Sequence, residues 1–293
     1  MEALLADNAV ELVIINTPTY THYDYAKLAL LAGKHILVEK AFTTTLEEAI
    51  ELKALAEKQN KEIAVFHNRR WDSDFRTVQK IISEGLLGEI NEAEIHFDRF
   101  NPALSPKEHK ETLNPGAGLL KDLGPHITDQ VLCLFGMPQA VFADIRITRK
   151  TSVVDDCLDI LLFYPTFRVR LKAGYFVREA LPAYIFHGSK GSFIKSRADV
   201  QEINLVAGLK PNLTDWGTEP ELEQGLLHTE QNGQVIREKV KSLQGNYYDF
   251  YDGVFKALTQ NQPMPVTAND GINVMRVLDA AQKSSIQRRI IDL

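Results

Sequence analysis

The sequence predicts an α/β unit followed by an α+β domain built on a large, mostly antiparallel open sheet. Three observations predict it. Apolar runs at 10–16, 35–38 and 62–66 alternate with helix-spaced stretches, the rhythm of right-handed crossovers in a parallel sheet. After Trp71 the apolar period becomes two, over 89–97, 140–148, 155–164, 167–176 and 184–187, as half-buried antiparallel strands require. Two helical patterns, 247–259 and 269–287, then close the chain. The expected division is 1–72 and 73–293.

The run VELVIIN (10–16) is continuously apolar, which suits a strand covered on both faces. Residues 22–31 follow with helical spacing, and Gly33 supplies the stop. Thr45 with Glu48 three residues on forms a capping box before a helix that reaches about Lys58. Residues 75–86 read as one helix ended by Gly85 and Gly88. GSKGSF (188–193) resembles a phosphate loop but lacks the strand-to-helix context; it is expected to turn between antiparallel strands.

Of the 293 residues, 44% are hydrophobic and 25% charged, with a net charge of -6. These are values of an ordinary globular chain. No cluster of Lys and Arg offers a nucleic-acid footprint, and no apolar stretch nears the roughly 20 residues of a membrane span. MEALLADNAVE lacks the regions of a secretory signal. Cys133 and Cys157, without CxxC spacing, are expected as small core side chains in a reducing cytoplasm. No further His or Cys cluster supports a metal, and no GxSxG elbow supports a serine nucleophile.

Three strand ends deliver polar and aromatic groups to one edge: INTPTYTH (15–22), VEKAFTTT (38–45) and FHNRRWDSDF (66–75). Open α/β sheets bind ligands at that edge. PGAGLLKDLGPHITDQ (115–130) adds a Gly-rich segment followed by Asp-x-x-x-His. In this order the four segments resemble the glucose–fructose oxidoreductase, inositol dehydrogenase and rhizopine catabolism (Gfo/Idh/MocA) family. The resemblance runs from end to end, through the closing VLDAAQKSSIQRRIIDL (277–293).

The resemblance implies hydride transfer between NAD or NADP and a sugar, inositol or related polyol. It implies Lys40, Asp122 and His126 as the catalytic residues. It places Asn16, Thr17, Pro18, His22, Glu39, Lys40 and Asn68 around the nicotinamide half of the cofactor, and Trp71, Lys121, Asp122 and His126 at the substrate. A homodimer or higher homo-oligomer, formed through the exposed face of the large sheet, is also implied. Specificity is expected from Arg99, Phe100, Tyr175 and Trp216.

The chemistry suits these residue types. Alcohol oxidation needs a group to take the hydroxyl proton near neutral pH, where histidine titrates unperturbed. Asp122, four residues before His126, would share a helix face with it and orient the ring or hold a hydroxyl. Lys40 would bond the reacting oxygen. Plainer readings stand beside these: Asp122 as a helix cap, His126 as a core histidine, Lys40 and Lys121 as solvated lysines, and Trp71 as core. Thr17, Pro18 and Asn68 could be turn residues, His22 a first-turn helix residue, and Glu39 an ion-pair partner.

Two departures from the family pattern matter. Ala41 replaces the proline usual after the Glu-Lys pair, which should loosen that loop slightly. The Gly-x-Gly-x-x-Gly turn that holds a pyrophosphate has no counterpart, because Gly33 is the first glycine. The expectation is a truncated Rossmann-type parallel sheet lacking on the order of 60 residues, two βα units, with an unpaired apolar edge at 10–16. A catalytically inactive chain with impaired cofactor binding is the alternative reading. A lyase or isomerase on the same scaffold is a third.

Overall fold

Short apolar runs separated by capped helices build the first layer. In the computed structural model, which describes residues 2–179, 181–212 and 214–293, α1 (Glu2–Ala6) leads into β1 (Leu12–Ile15). Then come α2 (His22–Leu31), β2 (His35–Val38), α3 (Leu46–Gln59) and β3 (Ile63–Val65), and the strands form a parallel sheet in the order β1-β2-β3. The capping box of α3 is present: the Thr45 hydroxyl accepts from the Glu48 amide, and Glu48 accepts from the Thr45 amide. Gly33 ends α2 with φ at +72°, a conformation that suits glycine. One expectation is corrected. β1 is not covered on both faces, since Ile14 is 55% exposed.

The second layer begins with α4 (Ser73–Ser83) and β4 (Ile90–Asp98), then α5 (Leu119–Asp122) and α6 (Gly124–Phe135). β5 (Ala140–Arg146), β6 (Cys157–Phe163), β7 (Arg168–Gly174), β8 (Tyr184–Gly188) and β9 (Gly191–Lys195) follow. After them come α7 (Gln201–Val206), β10 (Gly225–Gln231), β11 (Gln234–Val240), α8 (Tyr248–Gln260), α9 (Ala268–Gln287) and β12 (Ile291–Asp292). Among the described residues the large sheet runs β11-β10-β9-β8-β4-β7-β6-β5-β12. Every pairing is antiparallel except β4 with β7. The GSKGSF segment does turn between β8 and β9.

Strand alternation decides which face is covered. Leu158, Ile160 and Leu162 of β6 and Val169, Leu171 and Ala173 of β7 are buried, on the side where α6 packs. The opposite face carries Asp144, Asp159, Arg168 and Arg170 with the apolar Phe142 and Leu161 among them. α9 joins the layers, packing on α3 and β3 of one sheet and on β5 and α6 of the other. A Cβ at its Gly271 would meet Phe42 at 2.8 Å and Val65 at 2.9 Å, so glycine permits that close seam.

Other expectations are corrected. Cys133 is exposed and Cys157 half-buried, both as free thiols. α6 is buried from Gly124 to Val131 and emerges beyond it, while Cys157 falls on the outward alternation of β6. The β10–β11 hairpin and α7 were not anticipated from periodicity. The hairpin's signal was Asn232-Gly233, both at positive φ (54° and 77°), the turn chemistry that matches the twist of two strands.

Candidate functional site

The carboxyl ends of the parallel strands and the α5–α6 corner face one another across a cleft of about 600 Å3, a size suited to a small organic ligand. The end of β1 contributes Asn16, the end of β2 Glu39 and Lys40, and the turn after β3 Phe66, Asn68 and Arg69; Asp122 and His126 enter from α5 and α6. The far wall is apolar and aromatic, with Leu205 and Val206 of α7 and Tyr247, Tyr248 and Tyr251 at α8.

Lys40 binds Asp122 twice, its Nζ donating to the backbone oxygen at 2.9 Å and to Oδ1 at 3.0 Å. Lys110 donates to the same Oδ1 at 2.8 Å. Burial disfavours the Asp122 carboxylate, yet the two ammonium groups outweigh it and hold the carboxyl well below its usual range. Asp122 makes no cap for α6; its charge faces the lysines. His126 is buried against Phe97, ring centroids 6.2 Å apart. Burial, then Lys40 and Arg69, keep its imidazole well below the usual histidine value, so the ring is neutral. Its Nδ1 is buried with no hydrogen-bond partner among the described residues. Glu39 accepts from the Lys40 amide, and burial raises its carboxyl against the pull of Lys40.

Of the residues expected from sequence, Asn16, Glu39, Lys40, Asn68, Asp122 and His126 line the cleft. Thr17, Pro18 and His22 do not; His22 is buried behind it, its ring nitrogens 2.9 Å from the Ala41 and Thr17 carbonyl oxygens. Burial disfavours the charged ring, so only one of its nitrogens carries a proton to donate, and the ring sits between the end of β1 and the Lys40–Ala41 turn. Lys121 turns away to donate to the Thr44 oxygen at 3.0 Å, and burial lowers its ammonium to about 8. Trp71 packs edge-on against Phe250, behind the aromatic wall. Arg99 lines the cleft, and Tyr175 lines an adjoining recess. Phe100 instead lies under Arg178, and buried Trp216 donates to Gln201. Sequence reasoning missed Lys110, Glu202, Leu205, Val206 and the tyrosines, which lie on loops and helices without a motif.

Two family descriptions match this chain: the oxidoreductase family's NAD-binding Rossmann fold over residues 1–67, and its C-terminal alpha/beta domain over 79–293. The chain belongs to the Gfo/Idh/MocA oxidoreductase family. It is 38% identical over 293 residues to scyllo-inositol 2-dehydrogenase (NADP(+)) of Bacillus subtilis, covering 100% of this chain and 82% of that protein. A solved Bacillus subtilis oxidoreductase superposes with a TM-score of 0.95 at 38% identity, covering 100% of this chain and 83% of the other. One from Bacteroides fragilis does so with 0.90 at 42%, covering 100% and 84%. The relatives are named as oxidoreductases, which gives the inactive reading no support.

The family implies a nicotinamide cofactor, and the residues present fit its reactive end. Asn16 and Asn68 offer amides, Phe66 and Tyr251 offer flat apolar surface, and His126 lines the same cleft with its Nδ1 unpaired among the described residues.

The buried histidines also set an acid limit on stability. His22, His67 and His126 are all held below the usual value, burial being the largest cause each time, and half-buried His35 has the same sign. Below about pH 6.5 the unfolded chain takes up protons on these rings and the folded chain does not. Stability therefore falls with falling pH, by about 1.4 kcal/mol per pH unit for each fully contributing ring. His96 has the opposite sign. Despite burial, Asp98 and Glu94 raise it, so its contribution is complete below about pH 6.5 and fades at higher pH. Denaturant unfolding at pH 6.5 and 5.0 is expected to show this loss, with His126→Asn removing one ring's share.

Proposed function

We propose that this chain is an NAD(P)-dependent dehydrogenase that oxidises a secondary alcohol of a sugar, inositol or related polyol. The meeting of Lys40, Asp122 and His126 on the cleft floor carries the reading. When bound, the nicotinamide ring supplies the electron chemistry by accepting hydride. The protein handles the oxygen and the proton. Asp122 keeps Lys40 extended into the cleft, where its ammonium donates to the reacting oxygen. His126, neutral before reaction, takes the hydroxyl proton at Nε2. Asn16, Glu39 and Asn68 hold the nicotinamide side, with residues 1–72 as the dinucleotide-binding domain and 73–293 as the substrate and oligomerisation domain.

The name of the Bacillus subtilis relative supports an inositol-like substrate and favours NADP over NAD. The open face of the large sheet carries Glu92, Asp144 and Asp159 among Arg168 and Arg170. Mixed signs of this kind are self-complementary across a two-fold axis, so we read the protein as a cytoplasmic homo-oligomer.

The test is a titration of NADH and NADPH followed by nicotinamide fluorescence, then a polyol screen with each oxidised cofactor. Micromolar binding and turnover of one polyol are the expected results. Absence of binding up to millimolar cofactor would reject a dehydrogenase role for this chain.

A further inference from the structure

Strand β4 runs out at the cleft. Its alternation puts Arg99 on the same face as Phe97, and the Arg99 backbone is pinned on both sides. Its amide donates to the Gly174 oxygen at 2.9 Å, and its own oxygen accepts from the Val177 amide at 3.1 Å. The guanidinium lies 4.9 Å from the centroid of the Phe97 ring, and the His126 ring packs on that same ring at 6.2 Å. The Arg99 guanidinium and the His126 ring are therefore no further apart than those two spans together, a separation that a sugar-sized molecule can bridge. Among the described residues, the arginines and lysines lining the cleft are Lys40, Arg69, Arg99 and Lys110. Lys40 and Lys110 are bonded to Asp122, and Arg69 to Asp72 and Glu202. The Arg99 side chain has no such partner among the described residues; its guanidinium rests on Phe97. The residue is exposed and so open to a ligand. A lone exposed arginine is ordinarily only hydrated, but the stacking and the pinned backbone hold this fork at one place on the wall. Its charge is felt in the cleft: against burial, Arg69 and then Arg99 hold the Glu202 carboxyl below its usual range.

The recess of about 90 Å3 beside the cleft supplies the rest of a site. Arg99, Asn101, Ser105 and Tyr175 line it, a guanidinium among amide and hydroxyl donors. The carboxylates of that recess are already engaged: Asp122 by the lysines, Glu111 by Arg149 and Asp155 by the Leu120 amide. A free guanidinium fork with neutral donors around it matches a carboxylate. We propose that Arg99 binds a carboxylate of the substrate, so that the polyol taken by this cleft is a polyhydroxy acid. The inference rests on the dehydrogenase reading above and narrows its substrate class. A phosphate dianion fits less well, because the other cations of the wall already have carboxylate partners. The acid group takes no part in the redox step. The carbinol carbon gives hydride to the nicotinamide co-reactant, the hydroxyl proton goes to His126, and the carboxylate stays bound. It does change the field around the base. After burial, Lys40 and Arg69 weigh most against a protonated His126, and an anion on Arg99 cancels a further cation of the same cleft.

The test sets each acid beside the neutral polyol of the same skeleton: D-gluconate with D-glucitol, and D-glucuronate with D-glucose. For at least one pair, kcat/KM is expected to favour the acid by about tenfold or more, the usual weight of a charge-assisted hydrogen bond. Arg99→Met keeps an apolar stem over Phe97 and should lower that acid-over-neutral ratio by about tenfold, mainly through KM for the acid. Arg99→Lys keeps the charge but not the fork and should retain part of the preference. A merely structural role would lower both members of a pair alike and leave the ratio unmoved. A second arm needs no turnover. Either acid, titrated calorimetrically into the full chain with NADH present, is expected to bind, and Arg99→Met to weaken it about tenfold while NADH affinity stays within about twofold. Equal turnover within both pairs, a ratio unmoved in Arg99→Met, or no binding of either acid overturns the proposal. So does a preference for D-glucose 6-phosphate over both acids, or a larger loss of NADH affinity than of acid affinity. If no member of either pair is oxidised, that counts against the dehydrogenase reading, and the calorimetry alone scores Arg99.

Discussion

His126→Asn is expected to lower kcat for alcohol oxidation by about 10^2- to 10^4-fold, the usual range for losing a positioned general base. That corresponds to about 3–5 kcal/mol of transition-state stabilisation. Asparagine cannot accept the hydroxyl proton, while the Phe97 contact and the volume of the site are largely kept. KM should change little, because the base acts mainly in the transition state. Because the neutral ring is favoured well below the usual histidine value, the wild-type acid limb of kcat should lie below about pH 6.5, and the variant should lose it. The stability cost is expected to be small, since Nδ1 of His126 has no hydrogen bond to lose among the described residues. Steady-state kinetics across pH, beside a denaturant titration, check both halves. A variant within threefold of wild type would remove His126 from the reaction.

Lys40→Met is the second large effect. Methionine keeps an apolar stem but removes the ammonium that binds Asp122 through two bonds. Turnover is expected to fall by about 10^2- to 10^3-fold, as when one donor to a reacting oxygen is lost. Asp122 would keep only Lys110, whose side chain is 35% exposed, so its carboxyl should rise toward the ordinary range. Breaking a buried ion pair costs about 3–5 kcal/mol, and the remaining lysine should hold the loss below that. Lys40→Arg would retain charge but not a compact point donor, and is expected to recover stability better than rate. If Lys40→Met lost stability while keeping kcat, Lys40 would be a structural partner of Asp122 and nothing more.

Much of this site was legible in the residues because strand ends are legible. An apolar run that stops at polar side chains marks the carboxyl edge of a parallel sheet, and 15–22, 38–45 and 66–75 each do so. Local signals also survived folding: the Thr45–Glu48 capping box and the Gly33 stop depend on neighbours in sequence alone. What escaped was set at long range. Lys110 reaches Asp122 from a loop, and Glu202 from α7 binds Arg69 across 133 residues. Lys121 and Asp122 are adjacent in sequence, yet a short helix rotates one to Thr44 and the other into the cleft. Cys133 misled in the same way, since its apolar neighbours do not say where α6 leaves the core.

The sequence by itself determined the class of fold and the order of most of its elements, because periodicity, capping and turn chemistry act over a few residues, and the family through the resemblance of the segments 15–22, 38–45, 66–75 and 115–130. Tertiary structure alone decided which side chains share the cleft, why Asp122 is held ionised and why His126 is neutral. Those properties depend on burial and on charges tens of residues away along the chain, and no local pattern encodes either.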